Sequence, residues 1–337
     1  MSGPKEPGNG GTLEAALRSE ESEPRFRSGE RTLGLLSTPL NLLILRALSD
    51  RPMRLAQLRQ ATGLPAQTTL RGHLNGLETI GAVEKQPTQQ MPYAVENALT
   101  PMGYELLQVA ETLDTWLQRA PEGAISLDSG AARGIVKAFV DGWGSTMVRS
   151  LALRPMSLTE LDREITEISY PALERRLSSM RMAGLIEAQP SDGSGTPYAL
   201  TEWARRGVRP LAAAAHCERV HMGRRAAPVT EADIEGAFLL ATPLVDLRDQ
   251  STGTCQLEVE EARGRRGQAG VRVEVERGKV VACECELDDD RPSYAIGTTT
   301  KWFSAIKDGA LDELRFGGGK QFAESFVFAM HVTLKSG

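Results

Sequence analysis

The chemistry with the clearest carriers in this chain is phosphate neutralisation and the reading of base edges. Arg175 and Arg176 stand side by side, Arg181 follows, and Ser169 and Tyr170 open the same segment. A matching segment upstream offers Gln67, Thr68, Arg71, His73 and Asn75. Arginine pairs with phosphate or bidentately with guanine, and glutamine or asparagine with adenine. Tyr170 suits a sugar or a thymine methyl, the alternative being an aromatic at the edge of a core. For each arginine the alternative is a solvated helix face. Gly72, Gly76 and Glu174, in the same segments, are poor phosphate ligands.

Catalysis finds little to work with. The chain has no Gly-x-Ser-x-Gly, no Walker loop and no His-Glu-x-x-His, and Gly317-Gly-Gly-Lys320 lacks the spacing of a phosphate cradle. Cys217, Cys255, Cys283 and Cys285 do not fall at metal-ligand spacing, and the four histidines are scattered. Cys283 and Cys285 share one face of a strand-like run and read as reduced packing cysteines, a redox role being the alternative. The acidic run from Glu284 to Asp290 reads as a solvated hairpin end. The expectation is a protein that is not an enzyme and uses no metal or cofactor.

The elements that must position the arginines come in two copies. Displacing the sequence by 103 residues lays Leu45 to Leu58 over Val148 to Leu161. The same shift lays Leu70, Leu74, Leu77 and Gly81 over Leu173, Leu177, Met180 and Gly184. Each copy reads as three helices and a hairpin. Leu40, Leu43, Ile44, Ala47 and Leu48 recur at helical spacing up to Pro52, and Leu55, Leu58 and Ala61 mark a short helix ended by Gly63. The third helices bury Leu70, Leu74 and Leu77, or Leu173, Leu177 and Met180. Ser169 is placed as an N-cap and Pro171 in the first turn. Short strands follow at 82–86 and 185–189, then polar loops at 87–90 and 190–195, then return strands from Pro92 and Pro197. Thr100 and Thr201 each cap a closing helix.

Three helices and a hairpin make a winged helix-turn-helix, whose third helix enters a major groove while the wing touches the neighbouring backbone or minor groove. At residue level the module resembles the HxlR-type family of bacterial transcriptional regulators, and the second copy carries the family pattern best. It does so through Trp143, Leu158-Thr-Glu-Leu161, Ile168-Ser169, Ala183-Gly-Leu-Ile186 and Pro197-Tyr-Ala-Leu-Thr-Glu202. The first copy keeps Leu77-Glu78, Gly81, Pro92-Tyr93 and Leu99-Thr-Pro-Met-Gly103, with Leu40 where the family's Trp falls. The resemblance implies double-stranded DNA as partner. Family members usually carry one such module and dimerise, so here one chain offers both half-site readers; a homodimer stays open. Residues 128–142 contain no cysteine at the family's sensor position.

Beyond a break at 223–228 the texture changes to a helix at 232–240, strands at 254–260, 271–276 and 280–287, and helices at 300–307 and 320–331. Val271, Val273 and Val275 alternate with charged residues. With Tyr294-Ala-Ile-Gly-Thr-Thr-Thr-Lys-Trp302, Ile306-Lys-Asp-Gly309 and Leu314-Arg-Phe-Gly317, residues 229–336 resemble the sterol-carrier-protein-type fold. That resemblance implies an apolar cavity for a small hydrophobic effector, lined by Phe238, Trp302, Phe303, Ile306, Phe316, Phe322, Phe326, Phe328 and Met330. The same spacings also describe a plain core.

Charge follows this division. Residues 133–225 carry 14 Lys and Arg against 10 Asp and Glu (+4), residues 31–121 carry 8 against 7 (+1), and residues 228–337 carry 13 against 19 (−6). No apolar run is long enough to span a membrane, and the Gly-, Ser-, Pro- and Glu-rich start reads as a disordered tail, so a cytoplasmic chain without membrane partners is expected. The predicted class is α+β: tail 1–30, winged helix 31–120, linker 121–131, winged helix 132–226 and a sterol-carrier-like domain at 228–337. A ligand-responsive transcription factor fits this order. A winged-helix protein-protein adaptor, or a lipid or small-molecule carrier or enzyme using the modules as scaffold, fits the same elements.

Overall fold

The computed structural model describes residues 28–87, 95–191, 195–247, 250–260 and 269–336. The expected tail to residue 27, the tip of the first hairpin with Pro92 and Tyr93, and part of the second tip lie outside them.

The first unit runs α1 (Glu30–Leu36), α2 (Pro39–Asp50), α3 (Leu55–Ala61), α4 (Gln67–Ile80), β1 (Val83–Pro87), β2 (Val95–Leu99) and α5 (Pro101–Leu117). Leu42, Leu45 and Leu48 turn the buried face of α2 toward Leu70, Leu74 and Leu77 of α4. Proline starts α2 and, at Pro52, follows its end, since the ring supplies φ at a first turn but no N–H further in. Thr100 caps α5 by accepting the N–H of Gly103 at 3.2 Å.

The second unit runs α6 (Gly130–Val140), α7 (Gly142–Leu153), α8 (Leu158–Glu164), α9 (Tyr170–Met182), β3 (Ile186–Ala188), β4 (Tyr198–Leu200), α10 (Glu202–Arg206) and α11 (Val208–His221). Displaced by 103 residues, α2 and α3 coincide with α7 and α8, and the bridge from Met53 to Asn97 has a counterpart from Met156 to Tyr198, its far end two residues short of that displacement. Gly81 and Gly184 end the two third helices with φ of 85° and 70°, a left-handed turn that a side chain would strain. Thr201 accepts the N–H of Ala204 at 3.1 Å, as expected of a cap. Ser169 stands at the N-cap position of α9, but its hydroxyl makes no capping bond.

Capping of the short helices differs between the units in a titratable way. Glu160 accepts the Ser157 N–H at 2.8 Å and pairs with Arg154 at 2.9 Å; its counterpart Gln57 accepts the Arg54 N–H at 2.9 Å. The Ser157 N–H, then the Arg154 guanidinium and the Ser157 hydroxyl, hold the Glu160 carboxyl down from 4.5 to about 2. A carboxyl depressed on folding adds stability above its unfolded value and loses it on protonation. The stability gap between the wild type and Glu160→Gln should therefore be constant above about pH 5 and close as pH falls from 4.5 toward 2. Chemical denaturation across that range checks it, and a gap that stays constant to pH 2 would contradict the assignment.

Neither end of the first unit is loose. Ser28 and Gly29, assigned to the tail from sequence, are buried because the Glu218 carboxylate of α11 accepts the N–H groups of Gly29 and Thr32, each at 2.9 Å. A carboxylate there satisfies orphan donors at the start of α1 and meets its positive end. The expected linker is also tied down: Leu127 is fully buried, its N–H bonds Asp114 at 3.2 Å, and α6 begins at Gly130, inside the stretch read as linker.

The two units lock together through their closing helices. Trp116 of α5 stacks on Trp203 of α10 with centroids 4.7 Å apart and planes 12° apart. Each indole N–H donates to the other residue's carbonyl at 2.8 Å. Phe139 of α6 closes on Trp116 at 5.3 Å, and α1 packs on both α6 and α11.

The C-terminal domain begins with α12 (Glu231–Ala241), followed by β5 (Gly253–Val259), β6 (Gly270–Glu276), β7 (Lys279–Glu284), β8 (Ser293–Gly297), α13 (Thr299–Asp308), β9 (Arg315–Gly318) and α14 (Lys320–Ser336). The sheet order is β7-β6-β5-β8-β9, with β8 parallel to β5 and the other pairs antiparallel. The acidic run after β7 is thus a crossover rather than a hairpin end, and the carbonyls of Asp288 and Asp290 accept the Nε2 of buried Gln256. Val271, Val273 and Val275 are buried as their alternation predicts.

The expected cavity wall divides. Phe238, Trp302, Phe326 and Met330 have no exposed surface and form core; Phe238 meets Trp302 edge-on at 4.6 Å, and the Trp302 N–H donates to the Glu258 carbonyl at 2.7 Å. Phe322 packs against Gly253. Phe316 and Phe328 lie on an outer groove, with Phe328 55% exposed. Phe303 and Ile306 reach a cavity at the junction with the second unit.

That junction is held by arginines. Arg205 donates to the carbonyls of Leu239 at 2.7 Å and Ala152 at 3.1 Å, at the ends of α12 and α7. Arg209 donates to the Lys335 carbonyl at 2.7 Å, and Arg149 pairs with the buried Glu235. Cations at exhausted helix ends satisfy carbonyls that have no partner in the helix. All four cysteines are free thiols, and burial pushes Cys217 and Cys255 up to about 12 and Cys285 to about 11. Among the described residues no single helix is long and apolar enough to cross a membrane.

Candidate nucleic-acid interface

The outer face of a third helix is whatever its buried stripe leaves over. Leu70, Leu74 and Leu77 anchor α4, which puts Gln67, Thr68, Arg71 and Asn75 on exposed surface. A Cβ added at Gly72 or Gly76 would meet nothing within 4 Å, so this face is open and unusually low. Leu173, Leu177 and Met180 anchor α9, leaving Ser169, Tyr170, Arg175 and Arg181 exposed, Tyr170 by 45%.

Two of the expected contact residues hold partners within the fold. The His73 Nδ1 lies 2.7 Å from the Asn41 Oδ1 on α2, and Arg176 pairs with Asp141 at 3.4 Å at the start of α7. His73 and Arg176 are 103 residues apart, so the same position serves in both units. It precedes the central leucine of the stripe (Leu74 or Leu177), and from that edge of the helix a long polar side chain reaches back to the first helix rather than outward. Both are pins between helices. Sequence reading assigned them to DNA because their types suit it; their partners lie over thirty residues away.

The structure adds candidates that sequence reading passed over. Arg163, in the last turn of α8, is exposed, as is Met182 (76%) at the end of α9. The only sequence signal for Arg163 is its place in the turn before a third helix. Arg225, beyond α11, donates to the Thr79 carbonyl at 3.1 Å, so the second unit's chain caps the end of the first unit's third helix. At the α5–α11 seam Glu105 bonds His221 at 2.6 Å and faces His216 at 3.6 Å; burial lowers the His216 pKa.

Among the described residues no group of His, Cys, Asp and Glu is placed to hold a metal ion. What the exposed faces can do is present arginine, amide, hydroxyl and aromatic groups on two rigid helices whose backs are fixed in cores. Residues 35–123 match the family model of the HxlR-like helix-turn-helix, a family of DNA-binding transcription regulators rather than enzymes. The match runs from the end of α1 through α5, so it covers the first unit, which is similar to the HxlR-like helix-turn-helix, and not the second, whose residues carry more of the family pattern. No curated protein sequence matches the chain.

Proposed function

We propose that this chain, whose residues 35–123 match the HxlR-like helix-turn-helix, is a transcription regulator that reads double-stranded DNA with two winged helices carried in tandem. The observation that carries the reading is the recurrence, 103 residues on, of the three helices and the open third-helix face, with an equivalent bridge closing each hairpin. The closing helices then do within one chain what a dimer interface does between chains. Gln67, Thr68, Arg71 and Asn75 face DNA from α4, and Ser169, Tyr170, Arg175 and Arg181 from α9. The C-terminal domain, sterol-carrier-like in its sheet flanked by helices, makes the regulator responsive to a small apolar effector. An effector acts only through its differential affinity for the DNA-competent arrangement.

Arg175 and Arg176 provide the test, because they are neighbours with different surroundings. Arg175→Ala should weaken DNA binding by about 1 to 3 kcal/mol and make its salt dependence shallower by about one phosphate contact. Arg176→Ala should leave the salt slope unchanged, since that guanidinium is spent on Asp141. Fluorescence anisotropy on genomic fragments retained by the wild type, measured over a salt series, reads both. If Arg175→Ala behaves as wild type while folded, α9 does not face DNA.

A further inference from the structure

The largest mismatch between expectation and structure concerns where an apolar ligand would sit. The core of the C-terminal domain is filled by Phe238, Trp302, Phe326 and Met330. A cavity of about 100 Å3 lies instead at the junction, where α6, α7 and α11 of the second unit meet α12 and α13. Its walls include Phe139, Val148 and Leu211 on one side and Ile234, Leu240 and Ile306 on the other. For scale, an engineered apolar cavity of about 150 Å3 stays dry and accepts benzene.

The polar groups around it narrow the ligand further. Glu30, Ser145, Arg149 and Asp233 already hold partners: Ser145 bonds the Gly142 carbonyl, Arg149 pairs with Glu235, and Asp233 caps its own helix through Thr230. Ser28 differs from them. Its hydroxyl is buried and has no hydrogen-bond partner among the described residues. Buried polar groups are normally satisfied, so a turn about the Cα–Cβ bond that brought this enclosed hydroxyl to a ligand's oxygen in the adjoining cavity would be favoured. With its one guanidinium committed to Glu235, the site has nothing to repay the desolvation of an anion.

We propose that this junction cavity binds a small, uncharged, ring-sized apolar molecule carrying one hydrogen-bonding oxygen, a ligand of phenol's size and chemistry. Its consequence for DNA rests on the regulator reading; the binding itself does not. The walls come from the second unit and the C-terminal domain, with Ser28 and Glu30 from the start of the first unit, and α7, which carries Val148, is the first helix of the second three-helix set. Filling the cavity therefore favours one docking of the C-terminal domain on that set.

The test uses the full chain, with phenol and benzene as probes and Gly236→Leu as the filling variant. Gly236 lines the cavity from α12, and a Cβ there meets nothing within 4 Å, so a leucine side chain starts from open space at the cavity wall and improves the helix. Ala237→Leu, from the same wall, is the second filling variant. Phenol should bind the wild type saturably and raise its thermal midpoint, and both filling variants should bind at least about ten-fold more weakly. Ser28→Ala should weaken phenol about five-fold and leave benzene unchanged, the ratio expected of one net hydrogen bond. Absence of saturable binding to the wild type at millimolar probe, or equal binding in the filled variants, overturns the proposal. DNA retention is assayed on the same protein without probe, so a failure there overturns the regulator reading while the phenol titration still decides the cavity.

Discussion

Trp116→Ala should cost about 3 to 5 kcal/mol of stability, the range for deleting a large buried aromatic. The Trp116 ring is 5% exposed, lies between Trp203 and Phe139, and supplies the N–H that satisfies the Trp203 carbonyl. Truncation leaves a void between three elements and orphans that carbonyl in a buried place, and neighbours relax only partly into such voids. Trp116→Phe keeps most of the ring but not the donor, and should lose substantially less. The functional consequence is more specific than the stability loss. The pair is what fixes α5 against α10, and through them the third helix of one unit against that of the other. At temperatures where Trp116→Ala is still folded, its DNA affinity should fall although no DNA-facing side chain has changed. Denaturant titration and anisotropy on the same samples read the two effects; a variant as stable as wild type would mean that the tryptophan seam is not a core.

What was legible in the sequence follows from how far each signal reaches. The three-helix sets could be read because Leu70, Leu74 and Leu77, and Leu173, Leu177 and Met180, are spaced by local helix geometry, and because prolines and glycines punctuate both copies alike. The helix α1 could not be read, since its start is stabilised by Glu218, a partner 189 residues from Gly29. The partners of His73 and Arg176 were hidden for the same reason: residue type suggested DNA, while Asn41 and Asp141, which the two side chains meet in the fold, lie over thirty residues away. In the C-terminal domain the alternation of Val271, Val273 and Val275 revealed a strand, but the parallel pairing of β5 with β8 is a long-range fact with no local signature. The aromatic residues posed the hardest case. A core and a cavity wall have the same periodicity, and only packing separates Phe326, with no exposed surface, from Phe303 beside the junction cavity.

If both third helices engage one DNA molecule at once, Arg71→Ala combined with Arg175→Ala should weaken binding by about 2 to 6 kcal/mol, close to the sum of the single losses. The two arginines stand on separate helices, α4 and α9, each with its own buried stripe behind it and each exposed. Independent contacts on one bound molecule add, whereas contacts used in alternative binding modes do not, because each single variant then escapes through the unaltered unit. The salt dependence separates the cases without reference to absolute affinity. Each lost phosphate contact reduces the slope of log K against log salt by about 0.9, so simultaneous engagement predicts a double variant shallower by about two contacts and single variants by about one. A further asymmetry is expected in the singles. The second unit carries the larger positive surplus, +4 (14 against 10) beside +1 (8 against 7), so Arg175→Ala should lose more than Arg71→Ala. Should Arg71→Ala be silent in both affinity and slope while Arg175→Ala is not, the first unit would be a structural partner to a single DNA reader, and the tandem reading would fail in the unit that carries the family match.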